Sequence, residues 1–146
     1  MKRNLWLVTG GLLSAAAALL HLAVIVGGPD WYRFFGAGEE MAQMAERGDP
    51  MAALVTAGIA AVLAIWSAFA FSGAGVIPRL PLLRTGLIVI GSIYLLRGLV
   101  LVPLLIMKPE IVDAFALWSS LIVLVYGIAY AVGTWIAWPS LSRAAV

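Results

Sequence analysis

Residues 85–107, TGLIVIGSIYLLRGLVLVPLLIM, are apolar and long enough to cross a bilayer, yet they contain Arg97 well inside the run. At about 1.5 Å of rise per residue, Arg97 lies roughly 20 Å along a helix from Arg84 and roughly 15 Å from Lys108. An arginine at such depth costs about 2.5 to 3.5 kcal/mol on insertion scales. The stretch therefore predicts a transmembrane helix whose arginine needs a partner, and Arg97 is the strongest candidate for a functional side chain.

The composition predicts an α-helical integral membrane protein with one domain, residues 1–146. Of these residues 64% are hydrophobic and 11% are charged, whereas soluble domains carry about 25% charged residues. The long runs of leucine, alanine, isoleucine and valine do not alternate with polar residues as the strands of a membrane β-barrel do. The chain has no cysteine, which excludes disulfides and thiolate metal sites.

Four apolar runs predict a four-transmembrane-helix bundle of the all-α class. The spans are predicted at about 5–26, 51–71, 85–107 and 112–138. The first run continues to Val26, past small residues that resemble a signal-peptide cleavage site, and its full length favours a span. Pro103 is expected to kink or loosen the end of the third span, and Pro139 follows the fourth.

Four spans place both termini on one side of the membrane, and the basic residues indicate which side that is. The lysines and arginines on the side of the termini outnumber those opposite: Lys2, Arg3, Arg79, Arg84 and Arg143 against Arg33, Arg47 and Lys108. Cytoplasmic loops carry the excess of lysine and arginine. We therefore predict that both termini are cytoplasmic and that the protein is a multi-pass protein of the bacterial inner (cytoplasmic) membrane.

The longest polar connection is the first outer loop, residues 27–50. Its first half carries an aromatic cluster typical of a membrane interface: Trp31, Tyr32, Phe34 and Phe35. Its second half, residues 38–47, predicts a short amphipathic helix, because Met41 and Met44 share one side while the glutamates lie mostly elsewhere. We expect this helix to lie on the membrane surface or to cap the bundle.

Each span also has one face of small or polar residues, which is typical of helix packing in lipid. By helix rise, His21 of the first span and Arg97 of the third both lie in the outer half of the membrane. These faces predict an outward-facing polar pocket, roofed by the outer loop. The candidate ligand-binding residues are Arg97, His21, Tyr94 and Ser119 from the spans, and Glu39, Glu40, Tyr32 and Trp31 from the loop.

The expected partner of Arg97 is a loop carboxylate. Glu39 and Glu40 are adjacent, so on a helix their side chains point about 100° apart and at most one of them faces the pocket. A structural ion pair, or a clamp on helix carbonyls, is the alternative role for Arg97.

Three functions are compatible with these residues. The leading hypothesis is a non-enzymatic binding or accessory protein that holds a lipid or other small amphiphile, with Arg97 as the charge anchor. The second is a small membrane enzyme in which His21 and Glu39 or Glu40 transfer protons and Arg97 stabilises an anion. The third is a structural subunit of a larger membrane complex. No catalytic motif of established spacing is present, which favours a protein that is not an enzyme.

The sequence predicts neither a cofactor nor a metal site. His21 is the single histidine, so a haem would need Met41, Met44 or a second copy's histidine as its other axial ligand. The predicted partners are membrane lipids, with a second copy of the chain or a larger membrane complex as the assembly partner. The basic residues lie at helix ends and do not indicate nucleic acid.

Three segments carry a resemblance to a known group of proteins: HLAVIVGGPDWYRFFGAGEEMA (21–42), RLPLLRTG (79–86) and IYLLRGL (93–99). They resemble the small four-helix integral membrane proteins that are common in bacterial genomes. That resemblance implies the four-helix fold and a bacterial membrane, and it implies no particular activity.

Overall fold

A computed structural model describes residues 3–142, apart from the side chain of Ile111. Every regular element in that range is helical. In chain order the elements are α1 (Leu5–Gly27), α2 (Pro29–Phe34), α3 (Glu39–Glu46), α4 (Pro50–Gly73), α5 (Leu83–Leu99), α6 (Leu101–Met107), a 3-10 turn (Pro109–Ile111) and α7 (Ala114–Leu141). Lys2 and Arg143, which contribute to the predicted topology, lie outside the described residues.

Four helical segments are long and apolar enough to cross a membrane: Leu5–Gly27, Pro50–Gly73, Leu83–Met107 and Ala114–Leu141. No more than a third of the residues in the most apolar part of each segment is buried. Large apolar side chains therefore cover most of their outer surface, which suits lipid and would drive aggregation in water. The predicted all-α fold with four spans is confirmed, and the chain is a multi-pass membrane protein.

The protein divides into two compact units. The large unit comprises Met1–Leu13 and Trp66–Val146, and the small unit comprises Ser14–Ile65. The large unit contains the pair α5 and α7, and the small unit contains α2 and α3 between the adjoining parts of α1 and α4.

In the large unit, α5 and α7 pack with their backbones in contact. The buried residues of the α5 face follow the 3–4 spacing of one side of a helix: Leu87, Gly91, Tyr94 and Gly98. A Cβ added to Gly98 would lie 2.9 Å from the Cα of Leu124, and one added to Gly127 would lie 2.8 Å from the backbone nitrogen of Leu95. The two glycines therefore permit the close approach that small residues give helices in lipid.

The third span is interrupted once, at Val100, between α5 and α6. Pro103 lacks the N–H that would bond the carbonyl of Leu99, and its ring conflicts with that carbonyl. The interruption agrees with the expected loosening near Pro103.

The fourth span begins and ends later than residues 112–138. Asp113 caps α7 by accepting a hydrogen bond from the backbone N–H of Ala116 at 2.7 Å, and a capping carboxylate places the first helical residue after it. At the other end α7 continues through Pro139 to Leu141.

In the small unit, a cluster of buried side chains holds α2 and α3 together. Its members are Val24, Tyr32, Ala42 and Ala52, with Phe35, Met41, Met44 and Ala45 packed around them. The predicted amphipathic helix is confirmed as α3, and Gly48 follows it with φ of 69°, the conformation that glycine adopts after a helix end. Helix α2 was not predicted, and it turns Tyr32 inward (2% exposed) while Phe34 stays outside (76% exposed).

Candidate functional site

The charge of Arg97 is met by a neutral partner. Its Nη1 donates a hydrogen bond to the Oγ of Ser120 on α7 at 3.1 Å, and Ser120 is buried while Arg97 is exposed. Among the residues of the large unit that the structure describes, no carboxylate lies within 4.0 Å of this guanidinium. A hydroxyl satisfies one of the five N–H donors and leaves the charge uncompensated there.

Ser120 is a contact that sequence analysis missed by one residue. The neighbouring Ser119 instead donates to the carbonyl of Ala116 in its own helix at 3.3 Å, and its role in ligand binding stays a prediction. Ser120, Gly127 and Thr134 are buried on α7 at intervals of seven residues. That spacing marks one helix face, so it is the signal that would have singled out Ser120.

Tyr94, one helical turn before Arg97, lies in an aromatic cluster. Its ring centroid is 5.0 Å from that of Trp66 and 5.4 Å from those of Tyr126 and Tyr130, distances at which aromatic rings attract edge to face. The hydroxyl of Tyr130 donates to the carbonyl of Trp66 at 2.9 Å. The cluster fixes the backbone next to Arg97, and direct contact of Tyr94 with a ligand stays a prediction.

His21 lies in the small unit and is half-buried. Its Nδ1 is 2.8 Å from the carbonyl oxygen of Ala17. A carbonyl only accepts hydrogen bonds, so this contact assigns a hydrogen to Nδ1 and does not involve Nε2. The ring is thus held by its own helix. A pocket that contains both His21 and Arg97 stays a prediction.

Arg33 organises the charged residues between α1 and α4. It donates to both carboxylate oxygens of Glu39, from Nε at 2.9 Å and from Nη2 at 2.8 Å. Nη2 also lies 2.8 Å from Glu46, and Nη1 lies 3.7 Å from Asp30. The hydrogen bonds from Arg33 hold the pKa of Glu39 below its usual value. Glu39 is therefore ionised at neutral pH and already has a cationic partner.

The remaining loop candidates differ in exposure. Glu40 is exposed. Trp31 is 42% exposed, and its ring centroid lies 5.7 Å from that of Phe35. The buried hydroxyl of Tyr32 has no hydrogen-bond partner among residues 3–142. Of the four loop candidates, Glu39, Glu40 and Trp31 are exposed and Tyr32 is buried.

The apolar helices, with a cation inside the third span, define the class of the protein: a small multi-pass α-helical membrane protein. No protein-family model matches the chain, and no curated protein or solved structure matches it either. Within the described part of the chain, no group of three or more histidine, aspartate or glutamate side chains is placed to hold a metal ion.

Proposed function

We propose that this protein is a non-enzymatic binding or accessory protein of a bacterial inner membrane, and that it holds a lipid or other small amphiphile by an anionic head group at Arg97. The observation that carries this proposal is the neutral partner of Arg97, the hydroxyl of Ser120 at 3.1 Å. A phosphate or carboxylate would supply the missing charge and accept two parallel hydrogen bonds from the guanidinium.

The surface around Arg97 suits the apolar part of such a ligand. Ile93 and Val100 lie one turn before and one turn after Arg97, so they share its helix face. They are 43% and 47% exposed. An acyl chain lying along this face would contact apolar side chains while its head group reached the guanidinium.

The state of Glu39 favours binding over catalysis. A general acid near neutral pH needs a raised pKa, whereas the hydrogen bonds from Arg33 lower the pKa of Glu39. An enzyme that used His21 for proton transfer would therefore depend on Glu40 as its carboxylate.

The proposed orientation places both termini in the cytoplasm. The described basic residues at the corresponding helix ends, Arg3, Arg79 and Arg84, support it by the positive-inside rule. Arg84 lies against the ring of Trp138, with Cζ 3.9 Å from the centroid. A tryptophan with a cation over its ring is typical of the head-group level. A second copy or a larger membrane complex is the proposed assembly partner.

Thermal unfolding in a neutral maltoside detergent tests this function. Lysophosphatidic acid and myristate should raise the free energy of unfolding of the native chain, by about 2.7 kcal/mol at a hundredfold excess over Kd. Lysophosphatidylcholine of the same chain length should do so much less. The stabilisation should disappear in Arg97→Gln and remain in Arg47→Gln, which removes an exposed charge elsewhere.

Arg97→Lys keeps the charge and covers the case in which Arg97→Gln fails to fold. It should keep part of the stabilisation by anionic amphiphiles. Equal stabilisation of the native chain by anionic and zwitterionic amphiphiles, or an undiminished effect in Arg97→Gln, would overturn the proposal.

A further inference from the structure

A second cationic site lies in the large unit, where α1 and α5 begin and α4 and α7 end. A groove of about 830 Å³ opens there, and its cations are Arg3 and Arg79. Its apolar walls include Ile77, Leu83 and Ile136. None of the described side chains that line the groove is acidic. Its charge is therefore positive and is not balanced by the groove itself.

Arg79 is held in place without being neutralised. Its Nη1 donates to the carbonyl of Ser140 at 3.1 Å, and its Nη2 donates to the carbonyl of Leu141 at 2.7 Å. These are the last carbonyls of α7, where the helix dipole favours a cation. Carbonyls carry no net charge, and two such bonds leave other N–H donors of the guanidinium for a ligand.

We propose that this groove binds one anionic phospholipid. Its phosphate lies between Arg3 and Arg79, and the part of its acyl chains nearest the head group lies over Ile77, Leu83 and Ile136. The phosphodiester complements the two cations, and the walls complement the chains. Basic pockets between transmembrane helices, at the head-group level, recognise anionic lipids in this way. In the proposed orientation the lipid belongs to the cytoplasmic leaflet.

This site is separate from Arg97. Leu83 and Arg97 lie on the same helix, and their separation of fourteen positions corresponds to about 21 Å along its axis. One head group cannot reach both, so either site can be correct without the other.

Lipid selectivity in nanodiscs tests the groove. The native chain is placed in nanodiscs of phosphatidylglycerol and phosphatidylcholine with identical acyl chains. Native mass spectrometry then counts the lipids that stay bound to the protein when it is released from the nanodisc. The native chain should retain phosphatidylglycerol preferentially. Arg3→Gln should lower that preference about fivefold, which corresponds to about 1 kcal/mol per basic side chain.

Two further variants separate charge from folding at Arg79. Arg79→Gln should lower the preference as Arg3→Gln does, and Arg79→Lys should restore most of it because it keeps the charge. Arg47→Gln should leave the preference unchanged. Arg3→Gln and Arg79→Gln should lower the preference in the Arg97→Gln background as well, which separates this site from the proposed function.

Three results would overturn the proposal. The first is equal retention of the two lipids by the native chain. The second is an unaltered preference in both Arg3→Gln and Arg79→Gln. The third is loss of the bound lipid at millimolar inorganic phosphate, which would indicate an anion site without lipid specificity.

Discussion

Arg97 is the one arginine inside a predicted span, and its side chain suits an oxyanion better than a lysine would. The guanidinium stays charged at all physiological pH values and presents its donors in a planar fork. Ser120 takes one of these donors at 3.1 Å. We propose that Ser120 positions the guanidinium and that an anionic head group binds its remaining N–H donors.

Replacing each of two adjacent serines tests whether Ser120 positions Arg97. Ser120→Ala should lower the free energy of unfolding by about 0.6 to 1.5 kcal/mol, because it removes a partly buried hydrogen bond between helices. Ser119→Ala should change it by less than about 0.5 kcal/mol, because that hydroxyl bonds its own helix. Unfolding by dodecyl sulfate in mixed micelles measures both. An equal or larger effect at Ser119 would contradict the assignment.

The pair of Arg33 and Glu39 predicts a pH dependence in the small unit. Because folding lowers the pKa of Glu39 below its usual value of 4.5, its stabilising contribution is complete above that value. It is lost as the pH falls through the lower pKa of the folded state. The stability of the folded arrangement of α2 and α3 should therefore be constant from pH 7 to about pH 5 and should decline in more acidic solution.

The carboxyl carbon shift of Glu39, followed by NMR against pH, checks this prediction. Its midpoint should lie below 4.5 in the native chain. It should move upward in Arg33→Gln and stay unchanged in Arg47→Gln. A midpoint at or above 4.5 in the native chain would show that the pair does not form.

At the scale of elements, α5 and α7 depend on glycines that place their backbones in contact. A Cβ added at Gly98 or Gly127 would lie 2.9 Å or 2.8 Å from a backbone atom of the facing helix. Backbone cannot swing aside as a flexible side chain can, so any larger residue must separate the helices. Such a separation would also break the contact between Arg97 and Ser120.

Two glycine-to-alanine variants test this packing. Gly98→Ala should destabilise the protein by about 1 to 3 kcal/mol, because the added methyl group overpacks the interface. Gly58→Ala is the control, since its Cβ would meet nothing within 4 Å; it should be neutral or stabilising by up to about 1 kcal/mol. The free energy of unfolding in mixed micelles is the measurement. A similar loss at both positions would refute close backbone contact as the cause.

Local sequence predicts some of these elements and misses others for physical reasons. Apolar length is sufficient for the four spans, and the one-sided placement of Met41 and Met44 is sufficient for α3. Helix α2 has six residues, too few for a periodic pattern, and burial of Tyr32 stabilises it. The partner of Arg97 depends on the register of α7 against α5, which the close approach at Gly98 and Gly127 sets.

At the scale of the whole molecule, the distribution of charge separates the two ends of the spans. All acidic residues fall in the segments assigned to the outer side, whereas Arg3, Arg79 and Arg84 fall at the other end. By the positive-inside rule, this distribution supports the proposed orientation with both termini in the cytoplasm. The two proposed lipid sites would serve opposite halves of the membrane.

The absence of cysteine from the sequence makes this topology testable with single introduced thiols. Ala37→Cys should react with a membrane-impermeant maleimide added to intact spheroplasts. Val76→Cys should react only after the membrane is permeabilised. Both positions are exposed, so burial in the protein does not limit either reaction. The reversed pattern would invert the orientation and the leaflet of each site.

Native mass spectrometry of the gently purified protein tests the central claim, that Arg97 anchors an anionic amphiphile. The double variant Arg3→Gln, Arg79→Gln, which lacks both groove cations, should carry a defined additional mass that lipid extraction identifies as an anionic amphiphile, and adding Arg97→Gln to it should remove that mass. A double variant without any such mass, or the same bound molecule after Arg97→Gln is added, would contradict that claim.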